Sequence, residues 1–218
     1  MLKRDIKVNG IILKKVPFRE TSIILEVFTD ELGKISVIAK GIRKEKDKNT
    51  GLTEILNELE LVLYKNPNSE LYILKSANLM KAHLFDSNFK CNILMNAAVE
   101  IYRQLIIQNE DSGKMYELLS KYLEYIKEIE VNGIAIFWRF LLRVFVLLGI
   151  DFNITNCMIC HKKQNLFAYY PHKHGFICNE CYKPAFDNFL LKMSNEQSEL
   201  LSNLNHIGKL LKEIELSK

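Results

Sequence analysis

The most specific chemistry in this sequence belongs to four cysteines. They stand as Cys157-Met-Ile-Cys160 and Cys178-Asn-Glu-Cys181, two Cys-x-x-Cys pairs with seventeen residues between them. This spacing is that of a four-cysteine zinc site. Each pair aims two thiolates at one point, and two pairs complete a tetrahedron around a d10 ion. Four thiolates fill the shell, so the spacing predicts one structural Zn2+ per chain rather than a catalytic one. Between the pairs, Leu166, Phe167, Tyr169 and Tyr170 run up, His172-Lys173-His174-Gly175 turn, and Phe176-Ile177 return. Such a hairpin brings the second pair beside the first. The rival is a redox pair of the thioredoxin kind, which wants a single Cys-x-x-Cys at a strand-to-helix junction. His161, His172 and His174 are alternative ligands, but the cysteines already fill the shell. The fifth cysteine, Cys91, falls in a helical stretch and reads as a small core residue.

Charge marks a second region. The chain has 218 residues and a net charge of +4. Residues 1–50 hold twelve Lys or Arg against seven Asp or Glu, 51–150 hold ten against twelve, and 151–218 hold eight against seven. The basic surplus therefore lies in the first quarter, where a polyanion partner is expected. Lys40, Arg43, Lys44, Lys46 and Lys48 crowd one segment that joins two expected strands. A loop of this kind follows a phosphate backbone and neutralises it without reading sequence. Lys14, Lys15 and Arg19, at the end of the first strand, extend the same patch. Phe18 is either a base-stacking aromatic or a core residue. Arg139 and Arg143, four apart on one helix, share a face that can hold a carboxylate. Paired acids at Glu58 and Glu60 alternate along a strand and read as solvated.

The elements that must position these residues show two periods. Ile6–Val16, then Ile23, Leu25 and Val27, then Ile35, Val37 and Ala39, then Leu59, Leu61 and Leu63, then Leu71 and Ile73 alternate with period two. Turn residues at Asn9-Gly10, Asp30–Gly33, Asn49–Gly51 and Asn66–Ser69 bound them. Five short strands suit an oligonucleotide-binding (OB) barrel, with an SH3-like barrel permitted by count alone; the basic surplus favours the former. From about Phe85 the period becomes helical. Asn88–Gln108 forms a helix with Ile93, Ala97, Ile101 and Leu105 on a face. Met115–Ile129 forms a second. Ile134–Leu148 is apolar almost all round and is expected to be the most buried, with Gly149 just past its end. Met193–Leu216 is the last, with Ser194 as N-cap and Gln197 three residues on. The fold class is thus α+β: an OB-fold barrel domain over 1–80 and an all-helical domain over 81–218, with the zinc finger inserted at 155–184. No apolar leader follows Met1, and Arg139 and Arg143 interrupt the one long apolar run, which points to a cytoplasmic protein with no membrane partner. A reducing cytosol also favours metal over disulfides.

The run Lys15–Gly41, KVPFRETSIILEVFTDELGKISVIAKG, resembles the amino-terminal segment of the bacterial RecO family of recombination mediators. Glu20-Thr21-Ser22, Phe28-Thr29, Gly33-Lys34 and Ala39-Lys40-Gly41 followed by Arg43 carry the likeness. Arg139-Phe140 and Leu148-Gly149 before Cys157 look like the family's helix leading to its finger. Leu141 departs from the Glu often found there, and the 44–50 segment is Lys-rich where relatives mix in Arg. The resemblance implies DNA repair and recombination without enzymatic activity. It implies binding of single- and double-stranded DNA, for which charge and position make Lys14, Lys15, Arg19, Lys34, Lys40, Arg43, Lys44, Lys46 and Lys48 the candidates; the alternative is a solvated surface loop, since Glu45 and Asp47 break up the positive run. It further implies annealing of complementary strands in the nucleoid. With RecR, and in some pathways RecF, members help load RecA onto strands coated by single-stranded-DNA-binding protein. The acidic tail of that protein is the expected partner of Arg139 and Arg143. Two other readings compete. A zinc nuclease or deaminase needs an open metal position or a His-x-Glu beside Pro-Cys-x-x-Cys, and the sequence has neither. A zinc-ribbon RNA-binding protein of transcription or translation is allowed by the cysteines alone, but does not call for the Lys15–Gly41 run.

Overall fold

The structure is a computed structural model that describes residues 5–43, 50–83, 88–105, 111–128, 133–150, 156–163, 166–171, 175–183 and 191–203. The chain divides into two compact units, 1–133 and 134–218.

The first unit is built on five strands, β1 (Ile6–Phe18), β2 (Ser22–Thr29), β3 (Gly33–Ala39), β4 (Glu58–Lys65) and β5 (Tyr72–Lys81). They close a barrel in the order β1-β2-β3-β5-β4. All neighbours are antiparallel except β3 and β5, which pair in parallel through Val37↔Tyr72 and Ile38↔Ile73. This is the expected OB-type barrel. Alternation fills it: Val8, Ile12, Ile23, Leu25, Val27, Ile35, Val37, Ala39, Leu59, Leu61 and Leu63 form the interior.

Asn9-Gly10, expected as a turn, lies inside continuous β1. The strand is long enough to pair with β4 over Ile6–Ile11 and with β2 over Gly10–Phe18, curving at a bulge between Ile12 and Lys14. A Cβ on Gly10 would stand 2.5 Å from Val27 Cγ1, so the glycine is there for close packing against the neighbouring strand β2.

Two helices, α1 (Phe89–Gln104) and α2 (Ser112–Tyr125), belong to this unit and cover part of the barrel's outer face. Asn88 caps α1 by accepting from the Cys91 N–H at 3.2 Å. The buried face of α1 is Cys91, Met95, Ala98, Val99 and Tyr102, not the expected Ile93 face; Ile93 is 51% exposed. The helix carries apolar residues on several sides, and the anchor decides among them. Tyr102 stands edge-on to Phe28 at 5.1 Å and donates to the Met115 carbonyl at 2.8 Å, joining barrel, α1 and α2. Cys91 is a buried core residue, as expected.

In the second unit, α3 (Gly133–Leu147) buries Ala135, Ile136, Phe140 and Val144, while Ile134, Trp138 and Val146 are more than half exposed. The expectation that α3 is the most buried helix is therefore wrong. Its sequence is hydrophobic all round, but one side has no neighbour among the described residues. Gly149, at φ +74, ends it as expected. A hairpin, β6 (Leu166–Tyr170) with β7 (Gly175–Cys178), is joined by a short third strand, β8 (Leu191–Lys192). Helix α4 (Asn195–Asn203) opens on the predicted capping box: Gln197 N–H donates to Ser194 Oγ at 3.2 Å, and Ser194 N–H to Gln197 Oε1 at 3.0 Å. The remainder of the expected helix, to Leu216, lies outside the described residues. No helix among them is long and apolar enough to cross a membrane.

Candidate metal centre and nucleic-acid interface

The ligand atoms of Cys157, Cys160, Cys178 and Cys181 lie within 4.8 Å of one another. Local backbone chemistry brings them there. The first knuckle closes by His161 N–H to the Cys157 carbonyl at 2.8 Å, with His161 in the left-handed region at φ 59. The second closes by the N–H groups of Cys181 and Tyr182 to the Cys178 carbonyl, both at 3.1 Å. The β6–β7 hairpin sets the knuckles side by side, Met158 N–H donates to the Phe176 carbonyl at 2.8 Å, and a Lys162–Glu180 ion pair at 2.7 Å bridges the rims. Below them pack Leu166, Ala168 and Ile177, with Phe167 edge-on to Tyr182 at 5.0 Å.

The donor set fits a tetrahedral ion. Metal–sulfur bonds of about 2.3 Å require sulfur–sulfur edges of about 3.8 Å, and Cys160 Sγ lies 3.7 Å from Cys178 Sγ. Burial pushes the Cys157 thiol up, but the surrounding N–H groups of Cys160, Cys178 and Ile159 outweigh it and bring the thiol down to about 6. Cys181 is pushed up to about 12, by burial and by the other three sulfurs. Four thiolates this close cannot all ionise without a cation to compensate them. His161 is exposed and outside the cluster, while His172 and His174 lie outside the described residues.

The basic residues sort into three groups. Lys15 and Lys34 are engaged within the chain: Lys15 Nζ pairs with Glu54 at 2.7 Å, and Lys34 Nζ donates to the Arg103 and Leu105 carbonyls at the end of α1, at 2.6 and 2.9 Å. Lys44, Lys46 and Lys48 lie outside the described residues. Arg19, Lys40 and Arg43 are exposed and come together where the β1–β2 turn meets the end of β3. There Arg43 N–H donates to the Thr21 carbonyl at 3.0 Å, and Arg43 Nη1 to the Arg19 carbonyl at 3.3 Å. Lys14, also exposed, sits opposite Glu26 across the strands.

An open concavity of about 760 Å³ lies at this junction, lined by Phe18, Arg19, Glu20, Thr21, Ser22, Ile38, Lys40 and Gly41. Phe18 is partly buried, with the Arg19 guanidinium 5.2 Å above its ring. Sequence reasoning named the cations and the ring, but not Thr21, Ser22 or Ile38. Thr21 and Ser22 belong to the Glu20-Thr21-Ser22 run that carries the family likeness, but nothing in the sequence placed them or Ile38 beside Lys40 and Gly41. On α3, Arg139 is half-buried, and Arg143 is exposed.

A larger error concerns Glu58, which is 2% exposed rather than solvated. It faces outward from the barrel as the alternation requires, but α2 covers that face. Its carboxylate accepts from Tyr116 Oη at 2.7 Å and Ser120 Oγ at 2.9 Å, with Lys81 Nζ at 3.5 Å and His83 Nε2 at 3.8 Å. Glu60, two residues on, is partly exposed and pairs with Lys7 at 2.7 Å.

A closed barrel of OB order, followed by helices and a four-cysteine cluster that could hold a metal ion, defines a class of protein with an oligonucleotide-binding-type barrel. Two family models match the chain, Recombination protein O N terminal over residues 1–83 and Recombination protein O C terminal over residues 87–218. The chain belongs to the recombination protein O (RecO) family. Among curated relatives, the DNA repair protein RecO of Prosthecochloris aestuarii is 30% identical over 71% of this chain and 59% of its own length. That of Acetivibrio thermocellus is 26% identical over 92% of this chain and 79% of its own, and that of a Thermoanaerobacter species 24% identical over 84% and 74%. The matched part thus spans less than two thirds of the first of these relatives.

Proposed function

We propose that this chain is a non-enzymatic mediator of DNA repair and recombination in the cytoplasm. A barrel domain over 1–80 binds single- and double-stranded DNA, and a helical domain over 81–218 carries the finger at 155–184. The observation that carries the reading is that Arg19 and Lys40 line one concavity with Phe18 on an OB-type barrel, with Arg43 bonded to the Arg19 carbonyl. Exposed cations there neutralise phosphates and release counterions, which lowers the repulsion between two complementary strands and lets them anneal. Lys14 adds an exposed cation on the same strand, while Lys15 and Lys34 are bonded within the chain; Lys44, Lys46 and Lys48 are expected to add positive charge to this binding. The four cysteines hold one structural Zn2+; the ion neutralises the thiolates and fixes the finger, and takes part in no reaction.

Family membership supports the partners. With RecR, and RecF in some pathways, the protein helps load RecA onto strands coated by single-stranded-DNA-binding protein. The acidic, hydrophobic tail of that protein is met by Arg139 and Arg143, with exposed Trp138 adding apolar surface. The test is strand annealing with bare strands and with strands coated by single-stranded-DNA-binding protein, each with and without RecR. The protein should speed annealing of both, and affinity for strands should fall steeply with salt. Unchanged annealing in every arm overturns the mediator reading, and tighter binding to RNA than to DNA replaces it with the zinc-ribbon one.

A further inference from the structure

The concavity at the β1–β2 turn has features that charge neutralisation alone does not need. Two turns from different parts of the barrel are strapped together there by two hydrogen bonds from one residue, Arg43, to Thr21 and Arg19. Arg19 occupies the left-handed region at φ 54, a conformation that costs an arginine about 1 kcal/mol. The strap donates from Arg43 Nη1 to the Arg19 carbonyl and so holds the residue in that conformation. The result is an arginine cation held 5.2 Å from the centre of an aromatic ring, at the edge of an open hollow. A surface that only attracts phosphates has no use for an aromatic ring paired with a fixed cation at the rim of a hollow.

We propose that this concavity is a subsite for a single unpaired nucleobase, with Phe18 and Arg19 as its stacking platform and Lys40 and Arg43 holding the adjoining phosphate. The proposal rests on the reading of the barrel as a DNA-binding surface and names what this part of it selects. Its volume of about 760 Å³ lies within the range of small-ligand sites, roughly 300–1,000 Å³. Rings and guanidinium planes accept any base by its face, so the subsite is tolerant of sequence. A base within a duplex has both faces covered by its neighbours and reaches only the cations on the rim. The subsite therefore separates single strands from duplexes, which the cations by themselves do not. Glu20, exposed on the same rim, places a carboxylate near the phosphate path and sets the sign of one control.

The experiment uses the full chain and three fluorescent probes: an oligothymidine strand, the matching duplex, and a strand of abasic sites with the same phosphate count. Affinity is read across a salt titration, and circular dichroism checks each variant's fold. Phe18→Ala should weaken oligothymidine binding about tenfold, leave duplex and abasic binding within twofold, and leave the salt slope unchanged. Phe18→Trp should restore the loss, and Arg19→Lys, which keeps the charge but not the plane, should reproduce part of it. Glu20→Gln should tighten all three probes. If Phe18→Ala does not fold, Arg19→Lys and Phe18→Trp decide the matter. Equal losses on all three probes, or no loss on any, overturn the subsite while leaving the DNA-binding reading intact. A wild-type chain that binds no probe overturns that reading, and the subsite with it.

Discussion

The carboxylate of Glu58 on β4 accepts a hydrogen bond of 2.7 Å from the phenol of Tyr116 on α2, fifty-eight residues away in sequence. Ser120, one helical turn further along α2, donates to the other carboxylate oxygen at 2.9 Å. Lys81, at the end of β5, stands 3.5 Å from Glu58 and 2.7 Å from Glu124. One buried carboxylate thus ties two strands of the barrel to the helix covering them. Ionised and buried, it is tolerable only because hydroxyls and a cation replace its lost water.

Removing any of these partners should therefore cost more than an exposed pair would. Burial alone pushes the Glu58 carboxyl up. The His83 imidazole, the Tyr116 and Ser120 hydroxyls and the Lys81 ammonium outweigh this, bringing it from the usual 4.5 down to about 2. Because the folded value lies below the unfolded one, the contribution is complete above 4.5 and is lost as pH falls toward 2. The difference corresponds to on the order of 3 kcal/mol. Urea unfolding should show Glu58→Gln less stable than wild type near neutral pH, with the gap narrowing as the solution is acidified through this window. Tyr116→Phe should cost about 2 kcal/mol near neutral pH. A gap for Glu58→Gln that does not change with pH would show that the carboxylate's ionisation contributes nothing.

The purified protein should carry close to one zinc per chain by elemental analysis. Cys178→Ser should yield a chain that is insoluble or unfolded in its second unit, since zinc contributes on the order of 10 kcal/mol to isolated finger modules. Cys91→Ala, a change outside the cluster, should keep the metal. Full annealing activity in a metal-free preparation would remove the structural ion from the account.

Local rules made part of this molecule legible in its sequence. Two knuckles and a hairpin, a capping box at Ser194 and Gln197, and alternation in the barrel strands each depend on residues close together in the chain, and each appears in the structure. What escaped depends on what an element packs against. Alternation correctly put Glu58 outside the barrel, but α2 makes that outside an interior. Helical periodicity offered α1 several apolar sides, and Tyr102 meeting Phe28 chose among them. The sign of the basic patch was readable; its engagement was not. Lys15 finds Glu54, and Lys34 finds the α1 carbonyls, only after folding. The reverse occurred at Asn9-Gly10, where a pair typical of turns sits in mid-strand.

That glycine supplies a test of how tightly the barrel is closed. A methyl at position 10 would meet Val27 Cγ1 at 2.5 Å, Leu61 Cδ1 at 3.1 Å and Thr29 Cγ2 at 3.3 Å. Val27 is fully buried and its backbone is fixed by pairing with both β1 and β3, so it has little room to retreat. Gly10→Ala should therefore destabilise by about 1–3 kcal/mol, the usual cost of overpacking. Val27→Ala should cost about 2 kcal/mol through the cavity it leaves. In the double variant the new methyl occupies part of that cavity, so the two losses should fall short of their sum by about 1 kcal/mol or more. Denaturant unfolding of the four proteins measures this coupling. Strict additivity would mean that Gly10 is required by strand curvature, and not by the side chain beside it on the neighbouring strand.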